Sequence, residues 1–253
     1  MRLRFLGTGT GGCKIKKTTS KEFRRSSCLL IDEVMLVDPT EEIFEFEDTF
    51  SLDGLLRSVR YVVLTHLGEG STAEAAIARL AEKCELTLYA TQGVHSRLAL
   101  PSVHREVISP SVLYEIDGYR LIPLVAASKP CARTEPTLSL AICSDRALLW
   151  GVPGGIFHYE SFAFLRELHL DVLVLDGGLG DAPVSGALYE HLNIDTAHFL
   201  RELLLSTGTL TEHSRVLLCG LPTDKKRKLH EELGALLQNS PLTLPYDGYF
   251  LTV

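Results

Sequence analysis

Short apolar runs alternate with longer mixed segments along the whole chain, and their two periods separate strands from helices. Leu3-Arg4-Phe5-Leu6 predicts a first strand, followed at once by Gly7-Thr8-Gly9-Thr10-Gly11-Gly12. Residues 27–31 and 34–37 predict two strands joined by the turn Asp32-Glu33, and residues 40–58 a helix or two around an irregular loop. Val62-Val63-Leu64-Thr65 reads as a buried strand that delivers His66 to a polar turn. Ser71-Thr72-Ala73-Glu74 then has the pattern of a capping box and predicts a helix over 72–83, with Ser71 as its N-cap. A strand over 86–91, a short helix over 92–100 and a strand over 103–109 follow. Residues 114–124 predict a hairpin across Asp117-Gly118. Strands at 136–143 and 147–150, a helix at 157–168 and a buried strand at 171–176 come next. His191 opens a predicted helix to about residue 205, residues 215–221 give the last interior strand, and Lys225 begins a basic helix. Residues 242–251 read as a closing hairpin.

Composition narrows the class without changing this picture. The chain has 253 residues, 45% hydrophobic and 23% charged, which is ordinary for a folded globular protein and long enough for one large or two modest domains. No apolar run approaches the ~20 residues that span a bilayer, and no signal-peptide core precedes the first strand, so the expectation is a cytoplasmic protein with no membrane partner. Six cysteines without a C-x-x-C pair argue against a disulfide framework or a zinc ribbon. A formal charge of −7 disfavours nucleic acid as a general partner.

Gly7, Gly9 and Gly12 satisfy G-x-G-x-x-G after a strand, with Asp32 at a distance suited to a ribose-binding acid. A dinucleotide site needs an amphipathic helix directly behind those glycines. The segment that follows, Cys13 to Phe23, has no apolar stripe at helical spacing. It carries Lys14, Lys16, Lys17, Lys21, Arg24 and Arg25 instead, which reads as a solvated loop or as a loop facing phosphate.

The window Thr65-His66-Leu67-Gly68-Glu69-Gly70-Ser71 resembles the T-H-x-H-x-D-H motif of the metallo-β-lactamase superfamily. The wider match is nearest to the branch of phosphonate-metabolism cyclic phosphodiesterases and ribonuclease Z. It includes the L-G-T-G-T opening, Arg24-Arg25-Ser26-Ser27, Val37-Asp38-Pro39, the strand ending in Asp176-Gly177, and the terminal Tyr246-Asp247-Gly248. This resemblance implies one domain over 1–253 and an α+β fold, a four-layer αββα sandwich of two mixed sheets. The alternation of hairpins and helices agrees independently with a layered α and β architecture.

The resemblance also implies where a dinuclear metal centre would sit. His66 keeps the first ligand position, whereas Gly68, Gly70, Ser71, Ser128, Pro153 and Gly220 stand at the others. Ser128 could exchange with Ala127 if the loop slips by one residue. In the family the aspartate matching Asp38 orients a ligand histidine, so Asp38 is expected to bond His66 or a backbone N–H. The histidine matching His191 faces the cleft and helps protonate a leaving group. A catalytic zinc takes about three protein ligands, so no cofactor is expected here unless zinc or manganese finds a site rebuilt from other residues. The leading expectation is a binding or scaffold protein, paired with itself or with an active relative. The alternative is a divergent hydrolase of a phosphodiester or similar anion, using Asp38, His66, Asp176 and His191 for acid–base chemistry. A third reading makes the emptied cleft a sensor for a small phosphate-bearing ligand.

Overall fold

The computed structural model describes residues 1–10, 18–68, 71–128, 135–183, 189–222 and 230–253. Two seven-stranded sheets are built from them. The first runs β14 (Phe250–Thr252), β1 (Arg2–Gly7), β2 (Cys28–Ile31), β3 (Met35–Val37), β4 (Tyr61–Val63), β5 (Thr87–Ala90), β6 (His104–Val107). The second runs β13 (Leu242–Thr243), β12 (Arg215–Cys219), β11 (Val172–Asp176), β10 (Ala147–Gly151), β9 (Leu138–Cys143), β8 (Tyr119–Val125), β7 (Tyr114–Ile116). Each sheet is antiparallel in one half and parallel in the other: β3 to β6 and β10 to β13 are parallel.

Alternation along each strand sorts side chains into three apolar layers. Leu29, Ile31, Met35, Val37, Leu140, Ile142, Leu148 and Trp150 meet between the sheets. Their neighbours Leu30, Leu36, Val62 and Leu88 face outward, under α1 (Glu42–Thr49) and α2 (Ala73–Ala81). Leu149, Leu173, Val216 and Leu218 face the other way, under α4 (Tyr159–Leu165) and α5 (Ile194–Ser206). Strands buried on both faces read as continuous apolar runs, which is why β11 is legible as a buried strand. Two short helices, α3 (Gln92–Ser96) and α6 (His230–Leu236), complete the set, and the α+β four-layer sandwich expected above is the fold found.

The hairpin turns follow their residues. Asp32 (φ 49°) with Glu33 (φ 64°), and Asp117 (φ 47°) with Gly118 (φ 87°), place two successive residues in the left-handed region that tight two-residue hairpins use. Three local expectations differ from the structure. Residues 242–251 form no hairpin, because β13 extends the second sheet beside β12 while β14 joins β1 in the first. The capping box does not close: Ser71 Oγ accepts the Ala73 N–H at 3.2 Å, but the Glu74 carboxylate accepts from Ala99 at 3.0 Å. The predicted helix at His191 starts at Ile194, because Asn193 caps it by accepting the Thr196 N–H at 2.9 Å. Gly12, Cys13, Gly70, Cys131 and the basic run Lys225 to Lys228 lie outside the described residues. No helix among those described is long and apolar enough to cross a membrane.

Candidate functional site

The parallel halves bring the carboxyl ends of β3, β4, β10, β11 and β12 to one edge of the sandwich, the side on which open α/β sheets place ligands. Asp38, His66, Pro153, Asp176 and Gly220 all follow or end these strands.

Asp38 leaves β3 at φ 52° and turns its carboxylate inward, where it is buried. It accepts from the Thr65 N–H at 2.8 Å, the Thr65 hydroxyl at 2.7 Å and the Trp150 indole N–H at 3.3 Å. Burial pushes its pKa up, and the nearby His66 pulls it back down. Of the two partners expected for Asp38, the backbone N–H is met directly by Thr65, and His66 is reached through an intermediary, Thr65 Oγ1 lying 2.8 Å from His66 Nδ1. A hydroxyl has one proton to give. With that proton donated to Asp38, Thr65 Oγ1 accepts from His66 Nδ1–H.

The second pair is direct. Asp176, at the end of β11, is 2% exposed, and His191 Nδ1 lies 3.0 Å from both of its oxygens. The Gly178 N–H at 2.8 Å and the Gly154 N–H at 3.2 Å also donate to this carboxylate. Burial raises the Asp176 pKa, with His191 and the two amides opposing. The hydrogen bond to Asp176 raises the His191 pKa above that of a free histidine, against the effect of its own burial. The imidazole remains 34% exposed, so a solute can reach it.

The glycines around this pair are required by space. A Cβ on Gly220 would stand 2.8 Å from Asp176 Oδ1, and one on Gly178 would stand 2.7 Å from His191 Nδ1. Gly220 also sits at φ 67°. The place implied for the final metal-binding histidine is thus filled by the Asp176 carboxylate.

The other implied ligand positions supply nothing better. Gly68 is half-buried, a Cβ there lying 3.9 Å from the His66 ring, and Ser71 is exposed. The Ser128 N–H turns back to the Ala126 carbonyl at 3.0 Å, the Ala127 carbonyl accepts the Gly155 N–H at 2.7 Å, and Pro153 follows a cis peptide bond. Among the described residues no three His, Cys, Asp or Glu side chains gather as a group able to hold a metal ion. A catalytic metal centre does not fit this donor set.

For Arg24 and Arg25 both expectations, a solvated loop or a loop facing phosphate, are corrected, because both side chains are buried. Arg25 pairs with Asp247 at 3.1 Å and lies within 6 Å of the Phe23, Phe46 and Phe50 rings, at 5.3, 5.8 and 5.9 Å. Arg24 donates to Thr8 Oγ1 at 2.9 Å and to the Pro245 carbonyl at 3.0 Å, and meets His230 Nδ1 at 2.7 Å. Burial pushes the His230 pKa down to about 4, so it is a neutral acceptor for Arg24 at neutral pH. Lys21 covers the Tyr246 ring at 4.3 Å. Lys14, Lys16 and Lys17 lie outside the described residues. Gly9 bridges Ser26 and Leu221, and Gly7 has no room for a side chain against Ser26, so these glycines serve close backbone approach.

Thr65, Trp150, Gly154 and Gly178 are the parts of the site that sequence reasoning missed. The single tryptophan of the chain and the doublets Gly154-Gly155 and Gly177-Gly178 were the signals on offer.

No description of a known protein family matches the chain, and no curated protein matches it in sequence. Solved structures do. The metallo-β-lactamase fold protein YhfI from Bacillus subtilis superposes with a TM-score of 0.71 at 13% identity, over 99% of this chain and 98% of that one. Zinc-bound PqqB from Methylobacterium extorquens gives a TM-score of 0.71 at 17% identity over 100% of both chains. Human tRNase Z, short form, gives 0.67 at 12% identity over 100% of this chain and 99% of that one. At these identities the likeness establishes the fold alone.

Proposed function

Given a chain with the metallo-β-lactamase fold, we propose that it is a binding or scaffold protein, one domain over residues 1–253, rather than a metal-dependent hydrolase. The observation that carries this reading is the donor set: at Gly68, Ser71, Ser128, Pro153 and Gly220 there is no imidazole or carboxylate, and Asp176 occupies the space in front of Gly220. A two-metal clamp activates water and steadies both oxygens of an in-line displacement. With His66 alone among the implied ligands, this chain offers that clamp no frame. Its partner is a second copy or an active relative of the same fold, and its cleft accepts a small anionic or phosphate-bearing molecule beside His191. The test is metal content by inductively coupled plasma mass spectrometry on untagged protein equilibrated with zinc and manganese and then desalted. The expected result is far less than one ion per chain, and two ions per chain would end the proposal.

The His191–Asp176 geometry favours a second reading, a metal-independent hydrolase. An aspartate that holds Nδ1–H of an exposed imidazole leaves Nε2 to move a proton to or from a substrate. Turnover of a chromogenic phosphodiester by the untreated protein, abolished in His191→Ala and in Asp176→Asn, would favour it. Equal turnover in all three proteins would remove it.

A further inference from the structure

A cavity of about 250 Å³ opens between the turn that follows α1 and the carboxyl end of α2, on the helix layer outside the first sheet, and it shares no residue with the cleft described above. Its floor is apolar and buried: Phe44, Leu56 and Leu80. Its rim carries both signs of charge, Asp53 and Glu47 with Arg57 and Lys83. Arg57 and Lys83 form no ion pair among the described residues, although acids stand on the same rim. Gly54, at φ 85°, lets the Arg57 side chain fold over the turn, its Nε 3.1 Å from where a Cβ would stand. Arg79 stacks on the Phe44 ring at 3.9 Å and so fixes one wall. Cys84 also lines the cavity, its thiol directed to the Leu56 and Arg57 carbonyls at 3.5 and 3.6 Å.

We propose that this cavity binds a small apolar α-amino acid. Its volume lies just under the ~300–1,000 Å³ of pockets for drug-sized ligands, which selects a smaller occupant. The floor suits an aliphatic or aromatic side chain, while two free cations and Asp53 at the mouth suit a carboxylate and an ammonium together, Glu47 being held by the Leu56 N–H at 3.4 Å. A molecule with one charge only would leave like charges facing it. Burial raises the Cys84 pKa, so the thiol is a contact and a reporter, and no covalent step is involved. This inference is independent of the reading of the metal positions.

Calorimetric titration with L-phenylalanine, phenethylamine and 3-phenylpropanoate separates the two charge arms. L-Phenylalanine gives a saturable heat and binds at least about tenfold more tightly than either analogue, the order expected for one charged hydrogen bond. Arg57→Ala with Lys83→Ala removes the preference over phenethylamine, and Asp53→Asn removes the preference over 3-phenylpropanoate. These side chains are exposed, so the variants keep the fold. Bound L-phenylalanine also slows alkylation of Cys84, followed by peptide mass spectrometry. The absence of saturable binding at millimolar ligand, equal affinity for all three probes, or an unchanged Cys84 alkylation rate at saturation would each overturn the proposal.

Discussion

Gly220→Ala tests whether the Asp176 carboxylate really occupies the space where the family resemblance places a histidine. The substitution acts twice. An L-residue held at φ 67° costs about 1 kcal/mol relative to glycine. The new Cβ would also lie 2.8 Å from Asp176 Oδ1, an oxygen that accepts the Gly178 N–H at 2.8 Å and faces His191. Moving that oxygen away weakens a hydrogen bond to a charged, buried group, a loss of about 2 kcal/mol. Together the two effects come to about 3 kcal/mol, or a fall in Tm of about 6–12 °C for a chain of this size. Gly208→Ala is the matched control, since Gly208 follows α5 at φ 77° with nothing within 4 Å of its Cβ position. It should lose only the backbone part, about 1 kcal/mol. Urea denaturation of both variants, with slopes checked for equality, gives the comparison. Equal losses at the two positions would refute the contact with Asp176. The same obstacle meets Gly220→His, so placing there the histidine that the resemblance implies is expected to destabilise the protein without recruiting metal.

Thr65→Val keeps the shape but removes the hydroxyl between Asp38 and His66, and should cost about 1–3 kcal/mol because both are left with an unmet bond; nitrogen NMR of the His66 ring would show loss of the Nδ1–H tautomer, and an unchanged spectrum would contradict the relay. The folded protein holds the His191 proton more tightly than the unfolded chain does, so its share of stability is complete below about pH 6.5 and is lost as the pH rises through the raised folded value. The urea midpoint of the wild type should therefore fall across this window more steeply than that of His191→Gln, and parallel curves would contradict the pairing. Arg25→Met leaves Asp247 buried without its cation and should cost about 3–5 kcal/mol; Asp247, already raised to about 6 by burial, should then titrate higher still by carboxyl NMR.

Period and turn chemistry along the chain determined most of the scaffold. Apolar runs such as residues 147–150 and 171–176 read as strands from their shortness and bounding residues, and Asp32-Glu33 and Asp117-Gly118 place hairpin turns without knowledge of anything distant. Local information also places His66 and Asp176 at strand ends, whereas Asp38 and His191 are singled out by the family resemblance, His191 at the opening of a predicted helix. What pairs with what was decided only by tertiary structure, because the contacts span long separations. Trp150 reaches Asp38 across 112 positions, and Asp247 meets Arg25 across 222. Two arginines that look like a phosphate loop in one dimension are drawn inside because groups from the far end of the chain meet them, Asp247 pairing with Arg25 while the Pro245 carbonyl and His230 accept from Arg24. The terminal strands part to separate sheets for a related reason: their partners β1 and β12 offer open edges, which no residue within 242–251 encodes. Gly220 shows the division most sharply. Its identity in the sequence says only that no side chain stands where the resemblance implies a ligand, and the fold alone reveals that the Asp176 carboxylate comes up to that position.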